Sequence, residues 1–170
     1  LGLVRGHGPP GRVAEEAPWA KIEDAHGMDV YAGTGALGLE ALSRGAASMV
    51  FVESLPSTLD ICRANIDKLE ETAKTTLLKT DAAKLPLRPS HILQRTLIFL
   101  DPPYDKDLGA AALKSLVGKN WLEEGALCIL EMRKQSPETA PDNFELIDSR
   151  TWGDTRVDFL KWTGRPTSLS

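Results

Sequence analysis

Gly33, Gly35 and Gly38 stand in the pattern G-x-G-x-x-G within Asp29-Val30-Tyr31-Ala32-Gly33-Thr34-Gly35-Ala36-Leu37-Gly38. That spacing serves one kind of chemistry, the close approach of bare backbone to a nucleotide-like ligand. Gly33 can turn the chain with positive φ, Gly35 lets a ligand approach with no Cβ in the way, and Gly38 permits close helix–strand packing. Glycine turns also arise for structural reasons, so neighbouring chemistry has to decide. Glu53 ends the apolar run Met49-Val50-Phe51-Val52, fifteen residues after Gly38. A carboxylate at a second strand tip is placed to grip ribose hydroxyls, against the alternative of a solvated charge.

Asp101-Pro102-Pro103-Tyr104 follows the apolar run Thr96-Leu97-Ile98-Phe99-Leu100. It sets a carboxylate, a rigid turn and an aromatic ring at the carboxyl end of a strand, the edge where parallel sheets bind ligands. The turn suits a planar amine as substrate. Asp101 and the Pro102 carbonyl accept hydrogen bonds, and neither proline has an N–H to donate. Tyr104 can stack on a base drawn out of its helix. The competing reading is a structural Pro-Pro turn. Asp81-Ala82 closes a further strand, where Asp81 either accepts from an adenine amine or simply forms a turn.

These residues need a scaffold of alternating strands and helices. The spacing predicts strands over 28–31, 48–53, 75–80, 97–100 and 126–131, and helices over 36–44, 56–69 and 108–117. Gly45 closes the first helix, and Leu59, Cys62, Ile66 and Leu69 line the second. Trp121 is assigned to the core, 132–142 to a surface loop, and 144–149 and 157–162 to two final strands around Trp152-Gly153-Asp154. The fold class is an α/β three-layer domain whose parallel sheet ends in an antiparallel hairpin. Residues 1–27 read as an irregular lead-in with a helical turn near 20–25, 28–163 as one domain, and 164–170 as a disordered tail.

The 170 residues, 42% hydrophobic and 26% charged, suit one globular domain. No apolar run approaches the ~18 residues that span a bilayer. Leu1–Pro18 lacks the pattern of a signal peptide, which makes the cytoplasm the expected compartment. Cys62 and Cys128 are expected to be reduced, buried thiols, with no metal site. The net charge of −4 argues against a large phosphate-wrapping surface. Arg88, Arg95, Lys106, Arg133 and Lys134 remain candidates for a local basic patch. His26 is assigned a structural or solvent-facing role.

Asp29–Glu53, including Ala32-Gly33-Thr34-Gly35 and the run Leu39-Glu40-Ala41-Leu42-Ser43-Arg44-Gly45-Ala46, resembles the cofactor region of class I S-adenosylmethionine methyltransferases. More narrowly it is similar to the bacterial RsmD type, which methylates the guanine N2 amine of 16S ribosomal RNA. Leu100–Tyr104, the stretch from Trp121 to Glu131 and Trp152-Gly153-Asp154-Thr155 share that similarity, which covers residues 28–162. The resemblance implies a seven-stranded Rossmann-like sheet with an antiparallel last strand. It implies S-adenosylmethionine as cofactor, held by Asp29, Ala32, Gly33, Thr34, Gly35, Gly38, Glu53, Asp81 and Ala82. Asp101, Pro102, Pro103 and Tyr104 would hold the target base, with no metal. The implied partner is ribosomal RNA or a small-subunit assembly intermediate. The family's basic Arg-Pro-Thr-like N-terminal segment is not reproduced in Leu1–Gly27, so a divergent or truncated N-terminus is expected.

Other readings stay open. One keeps the cofactor but methylates DNA adenine or cytosine, or a protein amide. Another is a non-catalytic cofactor-binding module in ribosome assembly. A nicotinamide dehydrogenase fits the glycine loop but gives the Asp-Pro-Pro-Tyr turn no task.

Overall fold

Strands that are apolar on both faces demand helices on both sides, and the chain supplies them in alternation. The computed structural model describes residues 21–103 and 107–165. The expectations for residues 1–20, for Tyr104 and Lys106, and for 166–170 lie outside them. The elements run β1 (His26–Val30), α1 (Ala36–Ser43), β2 (Ser48–Glu53), α2 (Pro56–Lys68), β3 (Thr75–Lys79), β4 (Arg95–Leu100), α3 (Leu108–Gly118), β5 (Leu122–Arg133), β6 (Phe144–Trp152) and β7 (Thr155–Trp162). Single 3-10 turns occupy Thr72–Lys74 and Ala82–Lys84.

The seven strands form one sheet in the order β3-β2-β1-β4-β5-β7-β6. β1 to β5 pair in parallel, and β7 runs antiparallel to both β5 and β6. This is the Rossmann-like sheet with an antiparallel last strand that the resemblance implies. Alternation along each strand divides the core. Met28, Val30, Val52, Ile98, Leu100 and Leu130 share a cluster with Leu113 and Leu116 of α3 and with Trp121. Met49, Phe51, Leu97 and Phe99 join Leu39 and Leu42 of α1 and Cys62 and Ile66 of α2 on the other face. Trp121 is wholly buried and donates Nε1–H to the Pro86 carbonyl at 2.8 Å, which satisfies its one polar atom.

Several expectations are corrected. β1 begins at His26, so His26 and Gly27 belong to the domain rather than to the lead-in, and it stops at Val30 because Tyr31 has φ of 69°. Leu69 is not a core position. It lies beyond the last helical residue and is 57% exposed. β5 is longer than 126–131. It absorbs the start of the supposed 132–142 loop and tolerates an irregular register against β4 between Arg95 and Leu97. Both cysteines are free and buried. Among the described residues, no helix is long and apolar enough to cross a membrane.

Candidate active site

Register brings the site together. Val30 pairs with Val52 and with Leu100, and Leu100 pairs with Leu130. One residue further on, the carboxyl ends of β2, β1, β4 and β5 present Glu53, Tyr31, Asp101 and Glu131 at one level. The chain leaves β1 toward β2 and β3, then crosses to β4 on the other side of β1. The gap between β1 and β4 is therefore the switch point where open α/β sheets take ligands.

Asp29 holds the glycine loop from beneath. It is 3% exposed, and its Oδ2 accepts the backbone N–H of Gly38 at 3.0 Å. Burial pushes its carboxyl from 3.8 up to about 7; the Gly38 bond opposes this, and the charges of Asp101 and Glu53 add to it. The loop is further tied by Ala32 N–H to the Val52 carbonyl and Gly35 N–H to the Ala32 carbonyl, at 2.8 and 2.9 Å. Asn65 Nδ2 of α2 donates to the Thr34 carbonyl at 2.9 Å. Gly33 has φ of 57° and opens on empty space. Gly35 has φ of 86°, but a Cβ there would lie 2.7 Å from Cys62 Sγ. Its missing side chain thus makes room for α2, whereas the sequence reading assigned that room to a ligand. Gly38 behaves as expected, since a Cβ would overlap Phe51, with Cζ at 2.8 Å and Met49 Cγ at 3.1 Å.

Glu53 turns its Oε2 to its own loop, accepting from Ser54 N–H at 2.7 Å and Leu55 N–H at 3.4 Å. That fixes the carboxylate at the strand tip. Asp81 takes the turn-forming part weighed for it, its Oδ1 accepting from Ala83 N–H at 2.9 Å. Ala82 is 3% exposed and packs in the core cluster that includes Val52 and Leu85.

Asp101 is open to solvent, Pro102 beneath it is buried and Pro103 is exposed. Partial desolvation at the strand end, then the charge of Glu131, pushes the Asp101 carboxyl from 3.8 up to about 6. Beside the turn lies a cleft of about 360 Å³, reached by Pro102, Pro103, Glu131, Gln135, Ser136 and Glu138. Glu138 also accepts from Ala110 N–H at 2.5 Å, at the start of α3. Tyr31 O–H donates to the Leu108 carbonyl at 3.1 Å, linking the β1 end to the same helix.

The other candidates lie elsewhere. His26 is at the opposite, amino end of β1, with Nδ1 2.8 Å from Ser48 Oγ and its backbone N–H donating to Thr96 Oγ1. Arg95 is 2% exposed and donates to the Gly27 carbonyl and Ser48 Oγ, so it belongs to no surface patch. Arg88 staples its own loop through the Ile92 and Asn120 carbonyls. Among the described residues of that group, Arg133 lines the cleft. Sequence reasoning missed Glu131, Glu138 and Tyr31. Glu131 carried a signal, a carboxylate ending an apolar strand like Glu53 and Asp101. Glu138, in a polar loop, carried none.

The residues fit a nucleoside that bears a positive charge. The charges of Asp101 and Glu53 both act on the Asp29 carboxyl, a repulsion that adds to the larger effect of its burial. A cation relieves that repulsion, and the phosphates of a dinucleotide would worsen it. The pre-formed loop offers bare backbone at Gly33 on the same side.

The family model described as conserved hypothetical protein 95 matches residues 14–161. The ribosomal RNA small subunit methyltransferase D of Haemophilus influenzae is 32% identical over 136 residues, 78% of this chain and 69% of that protein. A Bacillus subtilis protein provisionally named an rRNA methyltransferase is 31% identical over 146 residues, 84% of this chain and 79% of that one. Among solved structures, a Haemophilus influenzae protein provisionally described as a methylase superposes with a TM-score of 0.75 at 27% identity, covering 85% of this chain and 90% of its own.

Proposed function

This chain belongs to the conserved hypothetical protein 95 family, the RsmD type, and we propose that it methylates the exocyclic N2 amine of a guanine in 16S ribosomal RNA. The observation that carries the reading is the acceptor-only Asp101-Pro102-Pro103 turn, set at the switch point beside an acid-rimmed glycine loop. S-adenosylmethionine, when bound, supplies an electrophilic methyl group on a sulfonium centre. The chain's own residues do the positioning. Gly33, Thr34 and Gly35, held by Asp29 through Gly38, would meet the amino-acid end of the cofactor together with Ala32. Glu53 would accept from its ribose hydroxyls, and Asp81 with the Ala82 backbone would border its base.

On the substrate side, Asp101 and the Pro102 carbonyl accept from the amine and hold its lone pair toward the donor. Pro102 and Pro103 contribute no N–H that would compete for that lone pair. By this reading Tyr104, next in the sequence, stacks on the target base. Such a site works mainly by holding two reactants in line, so most of the barrier reduction comes from orientation. The partner is ribosomal RNA or a small-subunit assembly intermediate, and the cytoplasm is the place of action.

The test has two steps. Calorimetric titration with S-adenosylmethionine, S-adenosylhomocysteine and NAD in parallel should show binding of the first two alone. Incubation of unmethylated small-subunit particles with labelled S-adenosylmethionine, followed by nucleoside analysis, should then yield N2-methylguanosine. Methylated adenine or cytosine would overturn the guanine assignment. Cofactor binding with no transfer to particles or naked RNA would favour the non-catalytic module.

A further inference from the structure

We propose that Glu131 is a specificity-determining residue, accepting the ring N1–H of the guanine whose N2 amine Asp101 holds. The inference rests on the reading above and adds the group that tells guanine from the other bases. Leu100 and Leu130 are register partners on the adjacent parallel strands β4 and β5, so Asp101 and Glu131 leave the sheet side by side. Phe99 and Ile129, one step earlier, share one core cluster. Alternation then sets Asp101 and Glu131 on one face, about 4.8 Å apart across the strands. Glu131 lines the cleft together with Pro102 and Pro103, the two residues that follow Asp101. The raised Asp101 carboxyl, for which Glu131 is the second cause, agrees with that proximity.

A second carboxylate beside the amine acceptor has a chemical consequence. Guanine carries its amine next to a ring N–H, two donors in a row. Adenine and cytosine carry theirs next to a bare ring nitrogen, an acceptor, which would face a carboxylate lone pair to lone pair. Asp101 alone accepts any of the three amines. Asp101 with Glu131 matches guanine and repels the others, because a site built to receive an N–H rejects the analogue that lacks it.

The test uses small-subunit particles assembled from transcribed 16S RNA, with the methylated guanine first mapped by the wild-type protein. A second RNA carries 2-aminopurine at that position, which keeps the amine, replaces the ring N–H by a bare nitrogen and drops the 6-oxo oxygen, a loss common to wild type and variants. Transfer efficiency, kcat/KM, is measured on both for wild type, Glu131→Ala and Glu131→Gln. Wild type should prefer guanine by about 10- to 100-fold. Glu131→Ala should lose transfer to guanine and bring the two RNAs within about threefold, with S-adenosylhomocysteine affinity unchanged by calorimetry. Glu131→Gln, which keeps an acceptor oxygen without the charge, should fall between. A wild-type preference retained in Glu131→Ala overturns the proposal. If Glu131→Ala transfers to neither RNA or fails to fold, the same ratio in Glu131→Gln decides. A wild-type protein that methylates no guanine overturns the underlying reading instead, a result distinct from an unchanged ratio.

Discussion

Asp29→Asn should make this protein more stable at neutral pH and a poorer cofactor binder. Asp29 is 3% exposed and its carboxyl is pushed from 3.8 up to about 7, chiefly by burial. Between those values the folded chain binds a proton that the unfolded chain has released. Wild-type stability therefore falls as pH rises from about 4 to about 7 and levels off above. About three pH units at 1.36 kcal/mol each give a cost on the order of 4 kcal/mol at pH 8. Asparagine keeps an oxygen for the Gly38 N–H and cannot ionise, so it escapes the cost. Urea denaturation of both proteins at pH 4.5, 6 and 8 should show a stability difference that is small at the lowest pH and grows to a few kcal/mol at the highest. Calorimetry should show S-adenosylmethionine affinity reduced about tenfold, because a charge that disfavours folding favours a bound cation. A stability difference independent of pH would refute the reasoning.

Gly35→Ala should cost about 2–3 kcal/mol of stability in thermal or urea melts, from left-handed backbone at φ of 86° and overlap with Cys62 Sγ. Adding Cys62→Ala should recover the overlap but not the strain, so full recovery would contradict the φ argument. Asp101→Ala should lower methyl transfer at least 100-fold while cofactor affinity stays within about threefold; unchanged turnover would remove Asp101 from the site. Wild-type transfer should rise with pH through about 6 as Asp101 ionises, and Asp101→Asn should lack that limb. Glu53→Ala should weaken S-adenosylmethionine binding by about 10-fold through a lost charge-assisted hydrogen bond, and an unaltered titration would count against a ribose contact.

Local pattern made much of this protein legible. The glycine spacing, the apolar runs ending in Glu53 and Asp101, and the period of α1 and α2 are properties of short stretches, which neighbouring residues settle among themselves. The alternation of strands and helices then points to a three-layer α/β domain whose parallel sheet ends in an antiparallel hairpin, while the strand order came from the structure. Pro102 and Pro103 could be read as a rigid, donor-free rim because proline fixes its own backbone and lacks a donor wherever it stands.

What needed the tertiary structure depends on pairs far apart in sequence. Arg95 looked like surface charge until β1 and β2 closed over it with the Gly27 carbonyl and Ser48 Oγ. Gly35 looked like room for a ligand until α2 placed Cys62 against it. Glu131 gained a part only when the β4–β5 register set it beside Asp101, thirty positions away. Sequence alone determined which residues could do chemistry, because side-chain type and local backbone are written residue by residue. Register and burial decided which of them meet and in what charge state, because both arise from contacts that exist only once the sheet has formed.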